Sequence, residues 1–460
     1  MSRLAPWLRG DRAIAVLVGL HLVLLGLLVT QVRGGPLIGD ETAYVDAGKA
    51  LSNLVRDLVA LGPVDTREMR LSVVASGWFM PGMGALLAPL FVVVPDASVL
   101  TIRIYLALVS TGVLLWAALA VRRALGQRFA VAVLVLPGLV PMWALYSSAA
   151  WGDTLAGVVL VVLVAELVAC LRRVLDGVAP SLREGARLGL LAIATVYLRS
   201  STSLVVVGLL VVLALTVALS LRQRVRRRGL GAVALAAACF VAVLLPWSIA
   251  ASQTLGGRVL TTTSVPTVLA NTFGDYREGC FGECDPGSTI WFSPLRYARE
   301  VGRATGLSEM EVAQQMSAYA LRDVTARSYA GDVVDNTYRY TSGPARFSRY
   351  LRAPGETGGV GHLLVVGVTE TMLYPLWVVG GLLLLLVRRR GRDEQVLSLV
   401  LKLGLLALLS QVFVHQAGPR YWPTAAPLLG LATVLLLDTV RVPARLDGLR
   451  SLTVLQGVVT

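Results

Sequence analysis

The chain has 460 residues, of which 55% are hydrophobic and only 15% charged, and its formal net charge is +14. A mean hydropathy of +0.70 lies far above what a soluble domain needs to fill its core, which excludes an ordinary globular protein of the aqueous compartments. The composition predicts an all-α polytopic membrane protein, and its basic charge is to be explained by membrane topology before any nucleic-acid partner is invoked.

A helix needs about 20 largely apolar residues to cross a hydrocarbon layer about 30 Å thick, and ten stretches suit that task. In chain order they are Ala13 to Val32, Val99 to Val121, Phe129 to Tyr146, Thr154 to Leu171, Leu188 to Leu198, Ser203 to Leu221, Gly231 to Ala250, Leu363 to Val387, Val396 to Val414 and Pro423 to Val440. The first is too long for a signal-peptide core, and no small-residue cleavage pattern follows Val32, so it reads as a retained span. The fifth is short and extends back only if the Arg187 side chain snorkels to the interface.

Alternating these spans from a cytoplasmic N-terminus sorts the arginines. Arg3, Arg9 and Arg12 precede span one; Arg122, Arg123 and Arg128 follow span two; Arg172, Arg173, Arg183 and Arg187 follow span four. Arg222, Arg224, Arg226, Arg227 and Arg228 follow span six, Arg388, Arg389, Arg390 and Arg392 follow span eight, and Arg441, Arg445 and Arg450 come last. The opposite short turns hold only Arg199 and Arg420. The net charge is therefore an orientation signal, with both termini expected in the cytoplasm.

The same parity puts two long segments outside, residues 33–98 and 251–362, which divides the chain into modules 1–250, 251–362 and 363–460. Within the first, Met80 to Pro95 is semi-apolar, and reading it as a crossing would invert every later loop. It is expected to be a helix lying along the outer face. In the second, Ser308 and Glu311 form a capping box that predicts a polar helix running to about Tyr329, and a Gly/Pro-rich stretch from Pro354 to Gly361 leads back to the membrane. Cys170 and Cys239 fall inside spans as small apolar residues, whereas Cys280 and Cys284 lie in the outer segment, where a local disulfide is expected and a zinc site lacks further ligands.

Parity also gathers a set of polar groups on the outer face. Asp40 and Glu41 follow span one, Asp153 opens span four, Arg199 closes span five, and His415, Arg420 and Tyr421 occupy the turn before span ten. A charge at mid-membrane costs about 2.5–3.5 kcal/mol on insertion scales, so the interface is where such groups can be kept beside an apolar substrate. Taken singly, each fits a solvated turn or a helix cap, Asp153 being a candidate N-cap. Glu166, inside span four, is assigned to a structural pairing with Arg172 or Arg173.

The order of Gly39-Asp40-Glu41 after the first span, Pro81 with Pro89-Leu90-Phe91 before Arg103, Asp153 after a third span bearing Pro141, Tyr197-Leu198-Arg199, and Arg420-Tyr421-Trp422-Pro423 followed by Pro427 resembles the GT-C membrane glycosyltransferases. More narrowly it is similar to the branch of the protein O-mannosyltransferases and the aminoarabinose transferase of lipid A. The resemblance covers residues 13–250 and 396–440; Pro81-Gly82 stands where relatives often carry paired prolines. It implies transfer of a sugar from a polyprenyl-phosphate donor to an acceptor hydroxyl at the extracytoplasmic face of a plasma membrane, by a single inverting displacement. It implies Asp40 as general base with Glu41 orienting the acceptor or tuning Asp40, and Arg420 and Arg199 on the donor phosphate. Tyr421 and His415 would contact phosphate or sugar, and Asp153 would bind sugar hydroxyls or hold an arginine. No second Asp-x-Asp motif like that of the oligosaccharyltransferases occurs, so no metal or other cofactor is expected. The acceptor is a glycan, a lipid or a protein. Two other classes stay open: a polysaccharide polymerase or ligase, and a transporter or flippase of a lipid-linked glycan, for which His21 is the main buried ionisable candidate.

Overall fold

The computed structural model describes residues 11–30, 36–275, 292–341, 367–369, 371–372, 391–415 and 422–437. The eighth span, the Pro354 to Gly361 stretch and the Cys280/Cys284 pair lie outside the described residues. Every regular element among the described residues is helical, and six helices are long and apolar enough to cross a membrane: Asp11–Val29, Val99–Leu125, Asp153–Leu175, Ser200–Ser220, Gln223–Leu255 and Arg392–Phe413.

The helices are α1 (Asp11–Val29), α2 (Asp40–Val59), α3 (Thr66–Glu68), α4 (Gly82–Val93), α5 (Val99–Leu125), α6 (Gln127–Val135), α7 (Pro141–Tyr146) and α8 (Asp153–Leu175). There follow α9 (Leu182–Leu198), α10 (Ser203–Ser220), α11 (Gln223–Leu255), α12 (Ser264–Phe273), α13 (Phe292–Thr305), α14 (Glu309–Ala320), α15 (Ala326–Thr341), α16 (Arg392–Leu409) and α17 (Trp422–Leu437).

At the centre stands α8, apolar on all sides and buried along almost its whole length, as a helix without a polar face must be. It is packed by α5, α9, α10, α16 and α17. Because lipid is as apolar as leucine, close approach rather than the hydrophobic effect must hold such helices together. Gly185 and Gly189, one turn apart on α9, provide it: a Cβ on either would come within 2.1 and 2.2 Å of the Ala232 and Ala236 carbonyl oxygens of α11.

Antiparallel alternation is visible in the ion pairs at the end remote from Asp153. Arg122 pairs with Asp11, Arg173 with Glu184, and Arg392 with Asp176 at 2.9 Å. Among the described residues, Arg122, Arg173 and Arg392 thus each tie one helix end to another.

Three elements and one ion pair differ from the sequence expectation. The third stretch is broken into α6 and α7 around a cis Leu136–Pro137 bond, because Pro137 lacks an amide hydrogen and its ring clashes with the preceding turn. One carbonyl freed there, that of Gly138, accepts a hydrogen bond from His21 Nδ1 at 2.6 Å, so the buried histidine braces the interrupted helix. The fifth helix begins at Leu182, capped by the Ser181/Glu184 box, and its Arg187 meets Glu166 at 2.7 Å. Glu166 therefore pairs across helices with Arg187 and not with Arg172 or Arg173. Finally, the polar helix opened by the Ser308/Glu311 box ends at Ala320, and a reciprocal Thr325/Ser328 side-chain to backbone pairing starts a separate α15.

The semi-apolar stretch of the first loop forms α4, which packs along α2. Farther on, α12 and α13 meet that loop: Thr263 N–H donates to the Gly77 carbonyl at 2.9 Å, and Arg299 Nη2 donates to Ser76 Oγ at 2.7 Å.

Candidate active site

At the end of the bundle opposite the paired arginines, four helix termini converge. Asp40 is the first residue of α2 and half-exposed. Its neighbour Glu41 turns inward and is completely buried. Arg103 of α5, equally buried, donates to Glu41 Oε1 at 3.0 Å and to Oε2 at 3.3 Å. Two backbone amides complete the shell of the carboxylate, Ala150 N–H at 2.8 Å and Ile38 N–H at 3.0 Å. Charge-assisted bonds of this number are what make a buried carboxylate tolerable.

The bond to Ala150 also governs where Asp153 sits. Ala150 lies three residues before Asp153, the first residue of α8, so Glu41 fastens the start of the Asp40 helix to the loop that delivers Asp153. Gly152 lets that loop lie against the end of α9, since a Cβ there would fall 2.0 Å from the Leu198 carbonyl oxygen. The contact brings Asp153 to Arg199, and the two form an ion pair. Asp153 is not the N-cap, a position held by Gly152; its carboxylate sits in the first turn, where the helix dipole favours negative charge. Arg199 Nε also donates to Ser201 Oγ at 3.0 Å.

The C-terminal helices close the remaining side. Thr424 Oγ1 donates to the Asp153 carbonyl at 3.0 Å, and Gln411 Nε2 donates to the Ser201 carbonyl at 3.4 Å. His415 is half-exposed just beyond a 3₁₀ turn, Ser410–Phe413, and its N–H donates to the Gln411 carbonyl at 2.8 Å. Arg420 and Tyr421 lie outside the described residues.

Of the expected site residues, Asp153 and Arg199 are thus in direct contact and Glu41 is tied to their loop, while Asp40 stands at the start of α2 and His415 on the turn after α16. Gln411 and Asn336, which supports the His415 turn, are additions that the sequence does not single out, and Arg103 enters there as part of the resemblance without a role in the site. Arg103 alone carries a signal, being a full positive charge in the second turn of an apolar span, where it needs a partner. The other two are ordinary amides whose relevance depends on tertiary neighbours.

Fold and site together define an all-α polytopic membrane protein whose charged groups meet at one end of an apolar bundle. No family model and no curated protein matches the chain. Among solved structures it is similar to the Archaeoglobus fulgidus oligosaccharyltransferase in its apo form, at 14% identity and a TM-score of 0.42, over 94% of this chain and 51% of that one. The chain therefore spans about half the length of that protein. It is also similar to ArnT from Cupriavidus metallidurans bound to undecaprenyl phosphate, at 15% identity and a TM-score of 0.35, over 93% of this chain and 79% of that one.

Proposed function

We propose that the protein is an integral membrane glycosyltransferase that moves a sugar from a polyprenyl-phosphate donor to an acceptor hydroxyl at the extracytoplasmic membrane face. The observation that carries this reading is the convergence of the Asp40 helix start with the Asp153–Arg199 pair, through Glu41 and Ala150. It supplies a half-exposed carboxylate and a cation, both at the end of an otherwise apolar bundle.

The chemistry asks for little more. As the acceptor oxygen attacks the anomeric carbon, its proton passes to Asp40, and the carbon–oxygen bond to phosphate breaks. Configuration inverts in this single displacement. Negative charge grows on the departing phosphate, and preorganised guanidinium groups meet it in the geometry that suits a phosphate best. Arg199 takes this role together with Arg420. A guanidinium is a planar fork of five N–H donors, the geometry that suits a phosphate oxygen as well as a carboxylate. Asp153 holds Arg199 in place, Glu41 sets the start of the Asp40 helix, and His415 and Tyr421 contact sugar or phosphate. The acceptor is a glycan, a lipid or a protein.

Two measurements test this. Mass spectrometry of lipid co-purifying with the detergent-extracted protein is expected to reveal a glycosylated polyprenyl phosphate. With that donor, Asp40→Asn is expected to lower turnover by about 10²-fold or more, the usual scale of a lost general base, and Arg420→Ala to raise the donor KM. Near-normal transfer by both variants would remove the proposed centre.

A further inference from the structure

The helices α12 to α15 have no part in the chemistry just described, yet one of them grips both walls of the Asp153–Arg199 pair. On one side Asn336 of α15, itself only 3% exposed, donates through Nδ2 to the Val412 carbonyl at 3.1 Å and to the His415 carbonyl at 3.0 Å. This pins the 3₁₀ turn that carries Gln411, whose own amide reaches the Ser201 carbonyl, next to the hydroxyl that receives Arg199 Nε. Tyr329 reinforces the same turn, its hydroxyl donating to the Phe413 carbonyl at 2.8 Å.

On the other side, one helical turn after Asn336, Tyr340 stacks on Trp422 with ring centroids 5.7 Å apart and accepts the indole N–H in its carbonyl at 2.8 Å. Trp422 opens α17, whose Thr424 holds the Asp153 carbonyl. Residues four apart share one helix face. A single face of α15 therefore fixes the supports of both the cation and its counter-ion.

We infer that Asn336 is a positioning residue for phosphate recognition: by holding the 410–415 turn it sets the Arg199 guanidinium for the phosphate of a polyprenyl-phosphate lipid. The inference rests on the reading of Arg199 as a phosphate ligand. Substitution of Asn336 removes the two hydrogen bonds that order the turn, and Arg199 loses alignment without losing its charge.

The test uses the full-length purified protein, with undecaprenyl phosphate and undecaprenol as probes. Affinity for each is measured in wild type, Asn336→Leu, Tyr329→Phe and Arg199→Ala. Leu keeps the branched outline of Asn, with bulkier methyls, and removes its donors, and Tyr329→Phe removes one hydroxyl while keeping the ring. Asn336→Leu is expected to weaken undecaprenyl phosphate binding about fivefold to tenfold, the scale of one or two lost hydrogen bonds, while leaving undecaprenol unchanged. Tyr329→Phe should shift it in the same direction by less. Equal weakening of both lipids would mean a general structural role and would overturn the inference. If Arg199→Ala lost phosphate-specific binding and Asn336→Leu with Tyr329→Phe kept it, the inference alone would fall. If Arg199→Ala itself bound undecaprenyl phosphate as wild type does, the site reading would fall with it.

Discussion

Arg103 and Glu41, 62 positions apart in sequence, form a two-pronged ion pair at 3.0 and 3.3 Å in which neither side chain reaches solvent. Removing one partner of such a pair strands a buried charge, which costs about 3–5 kcal/mol. Arg103→Met is accordingly expected to lower the detergent melting temperature sharply. Glu41→Gln should also destabilise, because its one amide oxygen can accept from Ala150 or from Ile38 but not both, its NH2 group faces the remaining N–H, and the Arg103 charge loses its counter-ion. The double change to Met and Leu should recover part of the loss. Wild-type melting of Arg103→Met would show that the pair does not brace this end of the bundle.

The α9–α11 contact makes a different demand. Gly185→Ala and Gly189→Ala would each drive a methyl into a backbone carbonyl of the facing helix, and helix backbones cannot yield as a flexible side chain can. Each is expected to cost about 1–3 kcal/mol, the range for overpacking, read from thermal unfolding in detergent. Gly208→Ala in α10 is the control, since nothing lies within 4 Å of its added methyl. Equal stability of the Gly185 and Gly189 variants with that control would refute close packing.

Asp153 and Arg199 are coupled directly, so their substitutions should not be additive. Arg199→Ala leaves a fully buried carboxylate without its cation, and adding Asp153→Asn relieves that state. A double-mutant cycle on unfolding free energy is expected to show coupling of about 0.5–3 kcal/mol, the range for contacting groups. Coupling near zero would mean that the two do not pair in the folded protein.

How much of the architecture is legible in the sequence varies by element. α1, α5, α8 and α10 follow from apolar length alone, because the bilayer imposes that length on any helix crossing it. The capping box at Ser308 is a local pattern, closed within four residues, and it forms. The interruption at Pro137 is hidden by the apolar content around it: hydropathy sums over a window and does not register a missing amide hydrogen. Likewise α14 and α15 read as one polar helix, since Thr325 and Ser328 cap a helix only once the chain turns there.

The candidate site divides along the same line. Asp40, Asp153 and Arg199 are legible as polar residues at helix ends on one side of the parity count. Which of them touch is not: Glu41 stands beside Asp40 in sequence, yet one points into the core towards Arg103 while the other stays at the surface.

Sequence by itself determined the solvent of this protein, the alternation of its helices and the end at which its charges collect, because hydrophobic length and arginine placement are one-dimensional properties. Tertiary structure alone decided the partners. Glu166 chose Arg187, Asp153 chose Arg199, and Asn336 came to hold the turn beside them, since a buried charge or amide takes whichever complementary group the packing of distant helices brings within about 3 Å.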